Sequence, residues 1–161
     1  MFLVDAYNLA YSTGKAVSFA EAYRMALEIA NVLLRKNYRV IFVFDGRTDT
    51  PHPSYVKFSG ERRHGMTADE WIIEYVKRHT GDTIKLVTRD RSLADRAKHL
   101  HPNLYVMDPR DFLSFVDRLS VSGRVYSGKE AVDTYDIQTT MLDEMEEFLS
   151  SLKRKKRRKR R

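Results

Sequence analysis

Apolar residues fall along this chain in two rhythms, short continuous runs and longer stretches at helical spacing. Phe2-Leu3-Val4 is a run that stops at Asp5 and reads as a buried first strand. Ser18 with Glu21 makes a capping box, the reciprocal pair that opens a helix, and Ala22, Met25, Ala26, Ile29, Val32 and Leu33 follow at helical spacing to about Asn37. Val40 to Phe44 is a β-branched and aromatic run ending at Asp45-Gly46, the pattern of a strand buried on both faces of a parallel sheet. Pro51 and Pro53 break the next stretch, and Tyr55 to Phe58 reads as a short strand at the sheet edge.

A second capping box, Thr67 with Glu70, predicts a helix from Ala68 to about His79, with Trp71, Ile72, Tyr75 and Val76 on its apolar face. Ile84 to Thr88 reads as a strand, Arg91 to His99 as a helix and Leu104 to Met107 as the last core strand. Asp108-Pro109 is an N-cap followed by proline at the first helical position, which predicts a helix to about Leu119. Strands alternating with helices argue for an α/β fold with a mainly parallel sheet flanked by helices. Residues 120–135 read as a hairpin or an irregular basic loop. A final amphipathic helix carries Ile137, Met141, Met145, Phe148, Leu149 and Leu152.

Charge changes the picture only at the end of the chain. Lys153 to Arg161 are all Lys or Arg, and removing these nine from the 29 basic residues leaves 20 against 22 acidic ones, so a net charge of +7 becomes −2. The body is therefore slightly acidic, and residues 1–152 are expected to form one domain carrying a disordered basic tail. Such a run binds polyanions through counterion release, although a solubility or localisation role has the same composition. No apolar run approaches the roughly 20 residues that span a bilayer, so no membrane role is expected. The first residues do not read as a signal peptide, because they lack a basic stretch and place Asp5 within the apolar run. Cysteine is absent, which excludes thiolate metal sites and fits a cytoplasmic location.

The acids are placed more tellingly than they are numerous. Asp5 and Asp45 each end an apolar strand, Asp90 lies just past another, and Asp69 sits in the first turn of the helix capped by Thr67. Parallel sheets bind ligands outside the carboxyl ends of their strands, at the topological switch point, so these four should converge on one rim. Crowded carboxylates repel, and a divalent cation offsets that repulsion. An all-oxygen donor set suits Mg²⁺ or Mn²⁺ rather than Zn²⁺, and the chemistry it serves is phosphodiester hydrolysis. Any one of these aspartates, taken alone, is as readily a turn residue or helix N-cap. The five histidines lack metal-ligand spacing and read as surface residues. Neither a P-loop nor a G-x-G-x-x-G is present, which argues against nucleotide binding.

Four motifs in order resemble a known family. Asp5-Ala6-Tyr7-Asn8 is similar to the D-G-x-N that opens NYN domains, and Val43-Phe44-Asp45-Gly46 to their V-F-D motif. Phe58-Ser59 followed by Thr67-Ala68-Asp69 resembles the F-[ST] and T-A-D block of the YacP-like branch, and Val87-Thr88-Arg89-Asp90 resembles the T-x-D of PIN-like nucleases. The match covers roughly residues 1 to 120. It implies a PIN-like fold and a Mg²⁺-dependent endoribonuclease with Asp5, Asp69 and Asp90 as metal-site acids and Asp45 as their neighbour. It also implies that Asn8 orients one of these or touches substrate. YacP-like proteins are associated with ribosomal RNA or ribosome-linked mRNA, so RNA and the ribosome are the expected partners. Ala6 departs from the usual glycine, and Met66 from a small or acidic residue. Arg62 and Arg63, in a basic loop just before Thr67, are candidate phosphate contacts because a guanidinium grips phosphate oxygens in pairs. The competing reading is a catalytically weak RNA- or ribosome-binding module. A 5′-nuclease or phosphatase acting on DNA or small phosphate esters is a third.

Overall fold

Five strands carry the sheet: β1 (Phe2–Asp5), β2 (Val40–Phe44), β3 (Val56–Phe58), β4 (Ile84–Val87) and β5 (Leu104–Met107). They lie in the order β3-β2-β1-β4-β5, and every pairing is parallel. The computed structural model describes residues 1–14 and 17–124, the last four by backbone alone. Within it Met1–Ser122 forms one compact unit. The expected loop beyond Arg124, the final helix and the basic tail lie outside the described residues.

The chain builds leftwards from β1 to β2 and β3, then returns to the other side of β1 with β4 and β5. The switch point is therefore the β1–β4 junction, where a parallel sheet opens its ligand crevice. Register fixes which face each side chain takes. Leu3 pairs with Ile41 and Leu86, and Asp5 with Val43, so Leu3, Val43, Leu86 and Asp5 share one face. Phe2, Val4 and Phe42 take the other.

Helices cover both faces. The first face packs against α4 (Ala68–Arg78) and α5 (Arg91–Leu100), with Trp71, Ile72, Val76, Leu93 and Ala97 closing over Leu3, Val43 and Leu86. On the other face Phe2 meets Phe112 and Phe115 of α6 (Pro109–Arg124), with ring centroids 5.1 and 5.6 Å away. There Phe44 also meets Phe19 and Tyr23 of α2 (Phe19–Arg35), at 5.7 and 5.8 Å. Full burial of such side chains contributes about 1.5–3 kcal/mol each, and this two-sided core is what holds the strand ends still.

Both capping boxes form as the spacing predicts: Ser18 pairs with Glu21 and Thr67 with Glu70. Two short helices have no counterpart in the sequence pattern. α1 (Ala6–Tyr11) follows β1 without a loop, and α3 (Ser59–Arg62) follows β3 in the same way. The α6 helix runs past Leu119 to Arg124, because the Ser120 hydroxyl donates to the Val116 carbonyl one turn back and so does not interrupt the helix. One histidine departs from the surface expectation. His101 is 1% exposed, its Nε2 bonds the His79 carbonyl at 2.9 Å, and its Nδ1 accepts from Asn103 N–H at 3.1 Å. Accepting at Nδ1 makes it the neutral Nε2–H tautomer, a satisfied core histidine rather than a surface one.

Candidate active site at the strand ends

Each acid reaches the rim through a different local device. Asp5 ends β1 and caps α1, its Oδ1 accepting from Asn8 N–H at 3.1 Å. Asp90 follows β4 and caps α5, accepting from Leu93 N–H at 2.9 Å, while its own N–H donates to the Thr88 hydroxyl. Asp45 follows β2, and its Oδ1 accepts from Ala68 N–H at 2.6 Å. Ala68 is the first residue of α4, so this bond draws the helix start to the end of β2 and brings Asp69 with it. Asp5 and Asp90 are thus helix N-caps at strand ends, while Asp45 bonds the first turn of a helix that Thr67 caps. These bonds use Oδ1 in all three, and neither their Oδ2 atoms nor the Asp69 carboxylate makes a hydrogen bond or ion pair within the described residues.

Electrostatics tie the four together. Burial raises the Asp5 carboxyl from 3.8 to about 6, against the stabilising Asn8 N–H, and the charges of Asp69, Asp45 and Asp90 push it the same way. Asp69 is raised by burial first and by Asp90 next, with Arg96 opposing and Asp45 adding. Mutual repulsion of this kind is the mark of acids sharing one site.

Asn8 crosses the switch point. Its side-chain Oδ1 accepts from Arg89 N–H at 2.8 Å, while its own N–H serves Asp5. One residue thus sets the β1 and β4 ends relative to each other, so Asn8 is placed to orient Asp5 and Asp90. Arg89 then pairs with Asp108 through two bonds of 3.0 and 3.3 Å, steadying the β4 end against the start of α6. That guanidinium, with the Arg110 N–H, holds Asp108 below the usual carboxylate range.

Ser59 and Gly60 gain a positioning role from the fold. The Ser59 hydroxyl, fully buried, accepts from Gly46 N–H at 3.2 Å, and Gly60 N–H donates to the Gly46 carbonyl at 2.7 Å. These bonds clamp the turn after Asp45 against α3. A Cβ on Gly60 would stand 2.9 Å from the Gly46 oxygen, closer than the turn allows. Gly60→Ala should therefore destabilise the protein by about 1–3 kcal/mol, the usual cost of overpacking, read as a lower urea midpoint with unchanged slope. The available signal was the glycine directly after Phe58-Ser59.

The two arginines are paired with glutamates of α4, Arg62 with Glu74 at 3.2 Å and Arg63 with Glu70 at 3.8 Å. Arg63 remains 63% exposed in its side chain. The Ala6 departure is accommodated as the buried first residue of α1, and Met66 fills the core beneath α4.

No three His, Asp or Glu side chains among the described residues form a ready cage for a metal ion. The donors still fit Mg²⁺, which is typically bound through one or two carboxylates with water and substrate phosphate completing its shell. Oxygen-only donors and unspent Oδ2 atoms meet that need. Among the described residues no helix is long and apolar enough to cross a membrane.

No family model matches the chain, and no curated protein matches its sequence. Solved structures do. A point variant of Rae1 (YacP) from Bacillus subtilis is 25% identical at a TM-score of 0.59, covering 75% of this chain and 77% of that one. Rae1 (YacP) itself, from the same organism, is 21% identical at 0.58, covering 98% and 94%. With five parallel strands, helices on both faces and the acids at the β1, β2 and β4 ends, the chain has a YacP-like, nuclease-like α/β fold.

Proposed function

We propose that this protein is a metal-dependent endoribonuclease that hydrolyses RNA phosphodiester bonds at the strand-end rim, with ribosomal or ribosome-associated RNA as its substrate class. The observation that carries the reading is the placement of half-buried Asp5 with Asp45, Asp69 and Asp90 around the switch point of the sheet, close enough to push its carboxyl up. An acid cluster held there is costly, and Arg96 offsets it only at Asp69. Asp5, Asp69 and Asp90 are the residues that would hold Mg²⁺ or Mn²⁺. When bound, the cation supplies compensating charge and stabilises the departing oxygen.

The chain's own groups divide the remaining work. A carboxylate of this cluster left free of the cation accepts the proton of the attacking water as the water oxygen bonds to phosphorus and the P–O bond to the leaving nucleotide breaks. Asp45 holds the start of α4, and Asn8 holds the β1 and β4 ends in register. Arg63, exposed and only loosely paired, reaches a phosphate, with Arg62 beside it. The second reading, an RNA- or ribosome-binding module with little activity, is favoured by one observation: Asp5 and Asp90 serve as helix caps and Asp45 bonds the start of α4, all structural tasks. Short single-stranded RNA separates the two. A nuclease binds it in EDTA and cuts it when Mg²⁺ is added. A binding module holds it equally in both and leaves it whole.

The basic tail gives an independent expectation. Deleting Lys153 to Arg161 should weaken RNA binding and flatten its salt dependence. Each single-strand phosphate that the shortened chain no longer neutralises takes roughly 0.7 off the log–log slope. Turnover at saturating RNA should hold steady, because the tail brings no catalytic group. An unchanged affinity and slope would make the tail a localisation or partner signal.

A further inference from the structure

We propose that Tyr11, stacked on Tyr7 beside the carboxylate rim, is a platform on which one unpaired base of a single-stranded RNA lies. The nuclease reading above supplies the place where RNA runs, and the geometry of the two rings supplies what Tyr11 does there.

Tyr11 is 58% exposed, although its neighbours Leu9, Ala10 and Ser12 are buried. Leu34, Tyr38 and Tyr105 are the other large apolar groups exposed among the described residues, and Tyr11 is the one carried by the helix that starts at Asp5. With a rise of about 1.5 Å per residue, its Cα stands roughly 9 Å along the helix from that of Asp5. A strand whose scissile phosphate sits at the acids passes within reach of it.

The ring is backed by a rigid stack. Tyr11 and Tyr7 lie 6.2 Å apart with planes 24° from parallel, and Tyr7 meets Phe44 edge-on at 5.7 Å and 83°. Phe44 is fully buried, packs on Phe58 and directly precedes Asp45. One aromatic wall therefore runs from the sheet core, past Asp45, to an open ring at the surface. An aromatic ring has few torsions to freeze when it binds, and every nucleobase presents a π face to it, so stacking is tolerant of sequence. Paired bases have no free face to offer, which selects single strands, loops and bulges.

An i,i+4 ring pair also steadies a short helix, so the test must separate the two roles. Binding of the full chain in EDTA would be compared between a short oligoribonucleotide and an abasic ribose-phosphate strand of the same length and charge. Wild type should prefer the base-bearing strand by about 5- to 150-fold, the scale of one stacked base. Tyr11→Ala should erase most of that preference while Tyr11→Phe retains it. A helix-stabilising role would instead weaken both strands equally, and a preference unchanged in Tyr11→Ala, or absent from wild type, overturns the platform. Cleavage in Mg²⁺ is scored separately. A protein that discriminates bases without cutting loses the nuclease reading and keeps the platform. One that cuts with no Tyr11-dependent preference loses the platform alone.

Discussion

Asp5→Asn should leave the metal-free protein more stable and cleavage at least about 100-fold slower. The two effects share one cause. Burial, together with Asp69, Asp45 and Asp90, holds the Asp5 carboxyl near 6 rather than 3.8, so at neutral pH the folded protein carries a charge it disfavours. At about 1.36 kcal/mol per pKa unit, the shift sets a ceiling of about 3 kcal/mol on what neutralising this position returns. Asparagine keeps an oxygen to accept the Asn8 N–H, so α1 stays capped. It lacks the charge that binds a cation. Asp90→Asn should likewise stop cleavage and keep the cap on α5. Urea unfolding beside single-turnover cleavage reads both effects. An Asp5→Asn protein that is less stable in EDTA, or cleaves at the wild-type rate, would remove Asp5 from the metal site.

The second large effect lies in pH. The folded-state pKa of Asp5 is raised, so its contribution to stability is fully present below about pH 4 and is lost as pH rises through 6. Asp69, also raised, adds with the same sign. Asp108 is lowered and acts oppositely, losing its contribution in acid, but its side chain is 42% exposed and screened by solvent. Subtracting the pH profile of Asp5→Asn from that of wild type, both in EDTA, isolates the Asp5 part. The difference should show wild type losing up to about 3 kcal/mol between pH 4 and 7. Saturating Mg²⁺ should restore most of this at pH 7.5 and little at pH 5, where protons compete for the same oxygens. A flat difference, or one of opposite sign, would mean that Asp5 is not held as the geometry indicates.

Much of this architecture is written in local chemistry. Runs such as Val40 to Phe44 announce buried parallel strands because both faces of the sheet are covered. Ser18 with Glu21 and Thr67 with Glu70 announce helix starts because a capping box is complete within four residues. The helices α1 and α3 stay hidden because six and four residues show no full apolar period. The site is half legible for the same reason. Which acids end strands can be read along the chain, and so can the rim they share. What each acid does there depends on distant partners. Asp45 takes the N–H of Ala68, Asn8 takes that of Arg89, and Arg62 takes Glu74. Buried His101 finds its partner in the His79 carbonyl, 22 residues away. No local pattern encodes such pairings.

If acids from the β1, β2 and β4 ends and from the start of α4 form one cation site, a crystal grown with saturating Mn²⁺ above pH 7 should reveal it by anomalous scattering. A peak is expected against the carboxylate of Asp5 together with that of Asp69 or Asp90, and it should vanish in Asp5→Asn. Ordered carboxylates with no peak among them, or a peak that persists in Asp5→Asn, would contradict a shared cation site.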